Sequence, residues 1–447
     1  MTYAGGGWGA DTQLLMTDGS ARAVQNIRVG DQLQGDDNAP RVVTALTTNV
    51  GPTYRIDCTS RGRPQCSWTC DGNQRLVLRM NLAPYVQRKN GQFKIRQFFA
   101  LPPRCDLTLK CLPTIYPDQA TANAALHTIK TTWRPLHLTY TVSDYMRRLT
   151  QQPKYYSSCM LYQSDFVDFP PHLPPIESLQ QRLENIFGRT ITPHDVESTA
   201  HTIGLWLTDG NSHQPYVYQI GTNWRRPHLD HTPVITALED WFESMFGQLQ
   251  LPITHLCSRT SALNDCFLVN LSDVARGGGA SRFTRLLNTY GLVGHKHFPM
   301  SLLTELRNVR LALLGGVIDG DGCLNARSKC YIICSKSRGF IDGIVHLSRS
   351  LGYSVGVVQD TTKTIQGVQY HGYQIDIFGN HLSDIAPYIA LPYKRCPTNA
   401  ALGREPHNDQ RCTPFKITSL RVRRRHYSVK VTGNNRCLLE SFLVSTA

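Results

Sequence analysis

Residues Leu313–Gly322 read LLGGVIDGDG, and residues Ala200–Gly210 read AHTIGLWLTDG. Superposing Asp209 on Asp321 lays Ala200 over Ala312 and Gly204 over Gly316, so both stretches carry small residues four apart. On a helix such positions share a face. A face of Ala and Gly lets two helix backbones approach closely. Each predicted helix ends in Asp-Gly, with Gly210 or Gly322 suited to a left-handed cap.

The downstream sequence repeats as well. A strand-like run follows each motif, Tyr216 to Gly221 and Cys330 to Ser335. An amphipathic helix comes next, its stripe being Val234, Leu238, Trp241, Phe242 and Met245 in the first copy. Phe340, Ile341, Ile344, Val345, Leu347 and Leu351 form the stripe in the second. Further strands lead to a short helix, Phe283 to Tyr290 or His381 to Ala390, and then to a lysine, Lys296 in HKHFP or Lys394 in PYKRC. The order is α-β-β-α-β-β-α, twice over, with copies at about 195–297 and 308–396.

Two packed helices that each deliver an aspartate from the same end bring Asp209 and Asp321 together. Like charges repel there, so the arrangement favours divalent cations between them. Carboxylate, water and phosphate oxygen make the usual Mg²⁺ environment, and metal ions can clamp the oxygens of an in-line phosphoryl displacement. The two lysines either stabilise developing phosphate charge or help activate a water. A single Asp-Gly is usually a turn; the doubled pattern favours chemistry.

Composition agrees with an anionic partner, although a basic protein that is merely soluble has the same balance. The 447 residues carry 47 Lys and Arg against 33 Asp and Glu, a formal net charge of +14, which suits a polyphosphate. No apolar run nears the ~20 residues that span a bilayer; the richest is Leu311 to Ile318. MTYAGGGWGADTQ lacks a signal-peptide pattern, so an intracellular protein is expected. The closest cysteine pairs, Cys66/Cys70 and Cys330/Cys334, have no matching second pair, which argues against zinc and leaves core residues and free thiols.

Both chain ends read as strands and turns. Thr12 to Met16 and Ala21 to Ile27 flank the turn Asp18-Gly19, with Arg41 to Leu46, Thr53 to Cys58 and Arg75 to Met80 beyond. Phe415 to Leu420, His426 to Val431 and Cys437 to Val444 surround the turn Gly433-Asn434-Asn435. Residues 85–170 interleave cations and aromatics. Arg88, Lys89, Lys94, Arg96, Arg147 and Arg148 are candidate DNA contacts there, although a solvated surface has the same composition. FPPHLPP (Phe169–Pro175) opens a predicted linker over 171–190.

The two motifs resemble those of the LAGLIDADG homing endonucleases in their two-motif, single-chain form. LLGGVIDGDG is a close match, and IGLWLTDG (Ile203–Gly210) resembles the variant first motif of fungal intein endonucleases, with Thr208 a departure from consensus. IDGIVHLSRSLG (Ile341–Gly352) also resembles the fungal vacuolar-ATPase intein and HO endonuclease type. The resemblance implies a multidomain protein whose α+β endonuclease domain, 191–400, has two pseudo-symmetric αββαββα repeats. Asp209 and Asp321 are implied as metal-binding, catalytic carboxylates. Lys296 and Lys394 (or its neighbour Arg395) are the implied catalytic lysines. Mg²⁺ is the implied cofactor and double-stranded DNA the partner, cut to leave 3′ overhangs.

The β-rich ends, 7–84 and 410–447, resemble the two halves of an all-β, discontinuous Hint (intein-splicing) domain, with 85–170 a basic DNA-recognition insert. The blocks are TQLLMTDGSARAVQNIRVGDQL (Thr12–Leu33), WTCDGNQRLVLR (Trp68–Arg79) and the closing strands from Tyr427. Its splicing positions are degenerate. Gly7 stands where the first nucleophile belongs, Thr69 persists, and Gln74 replaces a histidine. Thr446-Ala447 replace the closing His-Asn, with no nucleophile after them. The zinc-binding tail of HO-type enzymes has no counterpart. Arg421, Arg423, Arg424 and Arg425 fit phosphate contact, nuclear import or a charge-protected edge strand. The expectation is a free-standing, monomeric, nuclear double-strand endonuclease that no longer splices. The alternative is a sequence-specific DNA-binding protein that no longer cuts.

Overall fold

The computed structural model describes residues 6–60, 63–80, 82–101, 106–171, 176–220, 254–261, 264–272, 279–365, 368–379, 381–397 and 412–447. It divides into two compact units, Met1–Asp165 with Gly403–Ala447, and Phe166–Leu402.

In the first unit the two chain ends share one sheet. The strand Pro40–Ser60 runs antiparallel to Phe415–Val431 on one side and to Arg63–Asp71 on the other. Trp8–Gly9 fits between Arg63–Asp71 and Phe415–Val431, with Trp8 opposite both Cys70 and Tyr427. Trp8, Leu14, Leu33, Ile56, Cys70 and Leu78 are buried in its core. Where separate strands are expected, at 41–46 and 53–58 and at 415–420 and 426–431, each pair is one continuous strand. A register shift between Ser419 and Arg423 absorbs the mismatch, with Arg421 at φ 54° as in a bulge. The predicted strand 21–27 stops at Ala23, where Val24–Asn26 forms a 3₁₀ turn. The predicted strand 437–444 splits into Arg436–Leu438 and Val444–Thr446.

The stretch read as an insert is built partly into this unit's second sheet. His137–Thr141 and Cys159–Tyr162 both pair with Arg75–Met80, their alternating apolar residues Leu138, Tyr140, Cys159 and Leu161 supplying buried side chains. Tyr85–Lys89, Gln92–Leu101 and Asp106–Tyr116 form a separate three-stranded meander.

The second unit begins before the predicted linker ends. Leu179–Phe187 is a helix, closed by a capping box between Ser178 and Gln181 and by Gly188 at φ 65°, and it buries Leu179 and Leu183. The amphipathic spacing outweighs the proline-rich signal upstream. Two helices, Pro193–Asp209 and Arg307–Asp321, are buried along most of their length. Tyr216–Ile220, Thr254–Ser261 and Asn264–Asn270 form a three-stranded antiparallel sheet. After the second helix come Gly322–Asn325, Cys330–Ser335, the helix Arg338–Ser350, then Ser354–Val355, Gln359–Ile365 and Val368–Phe378 in one sheet. The stripe predicted at 234–245 lies outside the described residues. Arg282–Thr289 is α-helical, whereas 381–390 folds as the 3₁₀ helix Leu382–Tyr388, with Pro387 inside it. Cys70, Cys159 and Cys437 are buried core thiols. Among the described residues no helix is long and apolar enough to cross a membrane.

Candidate active site

The site grows from the seam between the two buried helices. The first starts at a capping box, Thr192 Oγ1 accepting from Asp195 N and the Asp195 carboxylate from Thr192 N, with Pro193 in the first turn. The second has no side-chain cap; buried residues from Val309 to Asp319 hold it by packing. A Cβ built on Gly204 would lie 2.2 Å from Leu313 O and 3.2 Å from Gly316 Cα. One on Gly316 would lie 1.9 Å from His201 O. The backbones therefore touch at these glycines.

The two terminal glycines are not left-handed. Gly210 sits at φ −79°, ψ 159° and Gly322 at φ −79°, ψ 146°, because each helix passes directly into extended chain. What excludes larger residues is crowding: a Cβ on Gly210 would meet Trp206 at 2.3 Å, and one on Gly322 would meet Ile318 at 2.6 Å.

Asp209 and Asp321 thus emerge from adjacent helix ends. The Asp209 carboxylate lies against the residue before Asp321, since a Cβ on Gly320 would be 3.2 Å from Asp209 Oδ2. Thr208, the departure in the first motif, packs on that same glycine and donates to Leu205 O at 2.8 Å. The smallness of Gly320 makes room for it.

A lysine caps each helix. Lys296 Nζ donates to Gly210 O at 2.5 Å, beyond the first helix, and lies 5.0 Å from the centre of the Trp206 ring. Lys394 Nζ donates to Ile318 O, Asp319 O and Gly320 O at 2.9, 2.6 and 2.8 Å, so all three ammonium hydrogens are used on the second helix. A cation suits the negative end of a helix dipole. Burial pushes the Lys296 ammonium down to about 8, against the pull of both Asp209 and Asp321. Burial likewise lowers Lys394, opposed by Asp319, Asp209 and Asp321. Desolvation raises the Asp321 carboxyl, and Lys394 and Lys296 draw it down. Each lysine therefore feels both carboxylates.

Arg395 is placed differently: its guanidinium donates to Ile389 O at 2.7 Å and toward Ala390 O at 3.4 Å. Tyr331 fixes the turn, donating to Lys394 O and accepting from Cys396 N. Sequence reading missed a buried pair behind the site, His201 Nε2 to Asp319 Oδ2 at 2.7 Å. Its signal was a histidine and an aspartate at interior helix positions.

Two carboxylates are an all-oxygen donor set. Among the described residues no group of three or more His, Cys, Asp or Glu gathers to hold a metal. The fit is to a hard cation that keeps waters or phosphate oxygens in its remaining positions, as Mg²⁺ does.

In the first unit, Arg88 and Lys89 are exposed where their hairpin turns, Arg88 lying 5.5 Å from the Phe93 ring. Lys94 and Arg96 flank buried Ile95 and share the opposite face of their strand. Arg147 pairs with Asp144 at 2.6 Å. Arg148 stacks on Tyr140 at 4.8 Å and donates to Tyr156 OH at 3.1 Å.

The positions expected to be degenerate for splicing lie in the same unit. Gly7 N donates to Asp71 Oδ1, and Asp71 N to Gly7 O. Gln74 Nε2 donates to Thr446 O at 2.9 Å, and Ala447 N donates to Asn435 O. Thr69 Oγ1 would lie 1.8 Å from a Cβ on Gly9. Two polar residues here escaped the sequence reading, Asp71 and His426. The latter is fully buried, with Nε2 3.3 Å from Thr53 Oγ1; a lone histidine on a strand gives no warning of that.

Two family models match the chain. The one described as "Hom_end-associated Hint" covers residues 8–102, and "Homing endonuclease" covers 297–397, which includes Asp321 and Lys394. These matches define a DNA endonuclease class. The chain carries a homing endonuclease domain preceded in sequence by a homing-endonuclease-associated Hint domain. Among solved structures, mesophilic variants of the homing endonuclease I-DmoI are 12% identical at a TM-score of 0.27, over 45% of this chain and 99% of theirs. I-DmoI in complex with DNA and Ca is 13% identical at 0.27, over 47% and 98%.

Proposed function

We propose that this protein is a site-specific double-strand DNA endonuclease that hydrolyses phosphodiesters with Mg²⁺ and leaves 3′ overhangs. It acts as a nuclear monomer and does not splice. The observation that carries this reading is the seam. Asp209 and Asp321 leave adjacent ends of two touching helices, the first with a lysine on the carbonyl just past its end and the second with a lysine on its last carbonyls.

Asp209 and Asp321 would hold the cation, which when bound supplies Lewis-acid stabilisation of phosphate charge. Lys296 and Lys394 bring fixed positive charge to the same place, and their bonds to backbone carbonyls orient them before DNA arrives. The pseudo-twofold pairing of the halves suits two scissile phosphates, one per strand. Arg88, Lys89, Lys94 and Arg96 would contact the DNA backbone, adding affinity without sequence choice. The Arg421–Arg425 run supports nuclear import.

Loss of splicing is supported by chemistry at three positions. Gly7 has no nucleophile, Gln74 replaces an imidazole by an amide that cannot shuttle a proton near neutral pH, and Thr446-Ala447 offers no side-chain amide to cyclise. Expression between two tags is expected to give no ligated tags; ligation would contradict this part.

Incubating a randomised duplex pool with the protein and Mg²⁺, then sequencing cut ends, tests the nuclease. A recurrent cut motif, lost with Asp209→Asn, is expected. Enrichment by binding without cutting would contradict the activity.

A further inference from the structure

We infer that His201 is a positioning residue for one half of the nuclease, the half served by Lys394; this rests on the function proposed above. His201 belongs to the first motif helix, yet its imidazole reaches across the seam to Asp319 of the second, both side chains at most 1% exposed. The Asp319 carboxylate also accepts from Ala390 N at 2.7 Å and Leu391 N at 3.1 Å. A carboxylate holding two backbone N–H groups accepts from the imidazole as well, so Nε2 carries the proton.

Asp319 therefore ties three pieces together: both motif helices and the chain at 390–391. Three residues after Leu391 comes Lys394, whose N–H donates to Leu391 O at 2.9 Å and whose ammonium lies on the carbonyls of 318–320. The bond from His201 thus helps decide where that ammonium stands relative to Asp321. Buried hydrogen-bonded networks of this kind hold one geometry because a member left unsatisfied is expensive.

Among the described residues the first half shows no such device. Superposing the motifs sets His201 over Leu313 and Asp319 over Leu207, two leucines. Lys296 is held instead by Gly210 O and the Trp206 ring. Loss of His201 should disturb one half only.

A duplex carrying the cut motif from the randomised pool, labelled separately on each strand, gives the test under single-turnover conditions with the full chain. Lys394→Met identifies the strand that depends on that lysine. His201→Leu is expected to slow the same strand by about tenfold or more, because small misplacements of a catalytic group cost that much. The other strand should stay within about threefold, with DNA affinity unchanged. His201→Gln, which keeps an N–H donor, should restore the strand ratio. Should His201→Leu not fold, Asp319→Asn carries the same expectation. Equal slowing of both strands, no slowing, or bias on the opposite strand overturns the role of His201. A wild-type protein that cuts neither strand contradicts the proposed function itself.

Discussion

Gly204 and Gly316 meet across the two motif helices, so that a methyl group on either would enter the other helix's backbone. The nearest atoms are Leu313 O at 2.2 Å and His201 O at 1.9 Å. Neither is the flexible end of a side chain. Gly316→Ala is therefore expected to destabilise the protein by about 1–3 kcal/mol or more, as overpacking does. Gly339→Ala, also helical but with open space at its Cβ, should change little. Urea denaturation of the two variants makes the comparison.

Lys394 and Arg395 are neighbours with different work. Lys394→Met should slow cleavage by about tenfold or more, because it removes the buried cation that holds the carbonyls of 318–320 and faces both carboxylates. Arg395→Met, whose guanidinium braces Ile389 O and Ala390 O, should lower stability more than cleavage. Single-turnover rates set beside melting temperatures separate the two effects.

Burial pushes His346 down to about 4, reinforced by Arg310 and Arg349. Between that value and its unfolded pKa near 6.5 the unfolded chain binds the extra proton. Stability should fall as the pH drops from about 6.5 to about 4. Phe169 stacks against the His346 ring, with 6.5 Å between centroids, so His346→Phe keeps an aromatic partner. That variant should lose part of the acid sensitivity in a series of thermal melts.

Salt dependence should distinguish the cations of the first unit. Replacing exposed Arg88 and Lys89 by Ala should weaken DNA binding across sequences and flatten the salt slope by about one unit per lost contact. Arg148→Ala should act mainly on folding, because that guanidinium is stacked on Tyr140 and bonded to Tyr156. Binding measured across a range of KCl concentrations checks both.

The motif helices were legible because their constraint is local and doubled: small residues four apart, then Asp-Gly. The terminal glycines misled, since a sequence does not reveal whether a helix ends in a turn or runs straight into a strand. The pair His201–Asp319 was hidden for another reason. It joins residues 118 apart in sequence, and inside an apolar helix a polar residue reads as noise until its partner is known. Strand continuity at Pro40–Ser60 depended on a distant partner, Phe415–Val431, with a bulge to match it. Lys394 and Arg395 differ in the backbone carbonyls they bind, and those carry no sequence signal.

Strand-resolved cleavage of the selected duplex by Asp209→Asn and by Asp321→Asn, with and without Mg²⁺, bears most directly on the shared carboxylate site. Each single substitution should abolish cutting of both strands while leaving DNA bound, and chelation of the metal should do the same to the wild type. If either variant cuts both strands at the wild-type rate, the two aspartates do not form one nuclease centre.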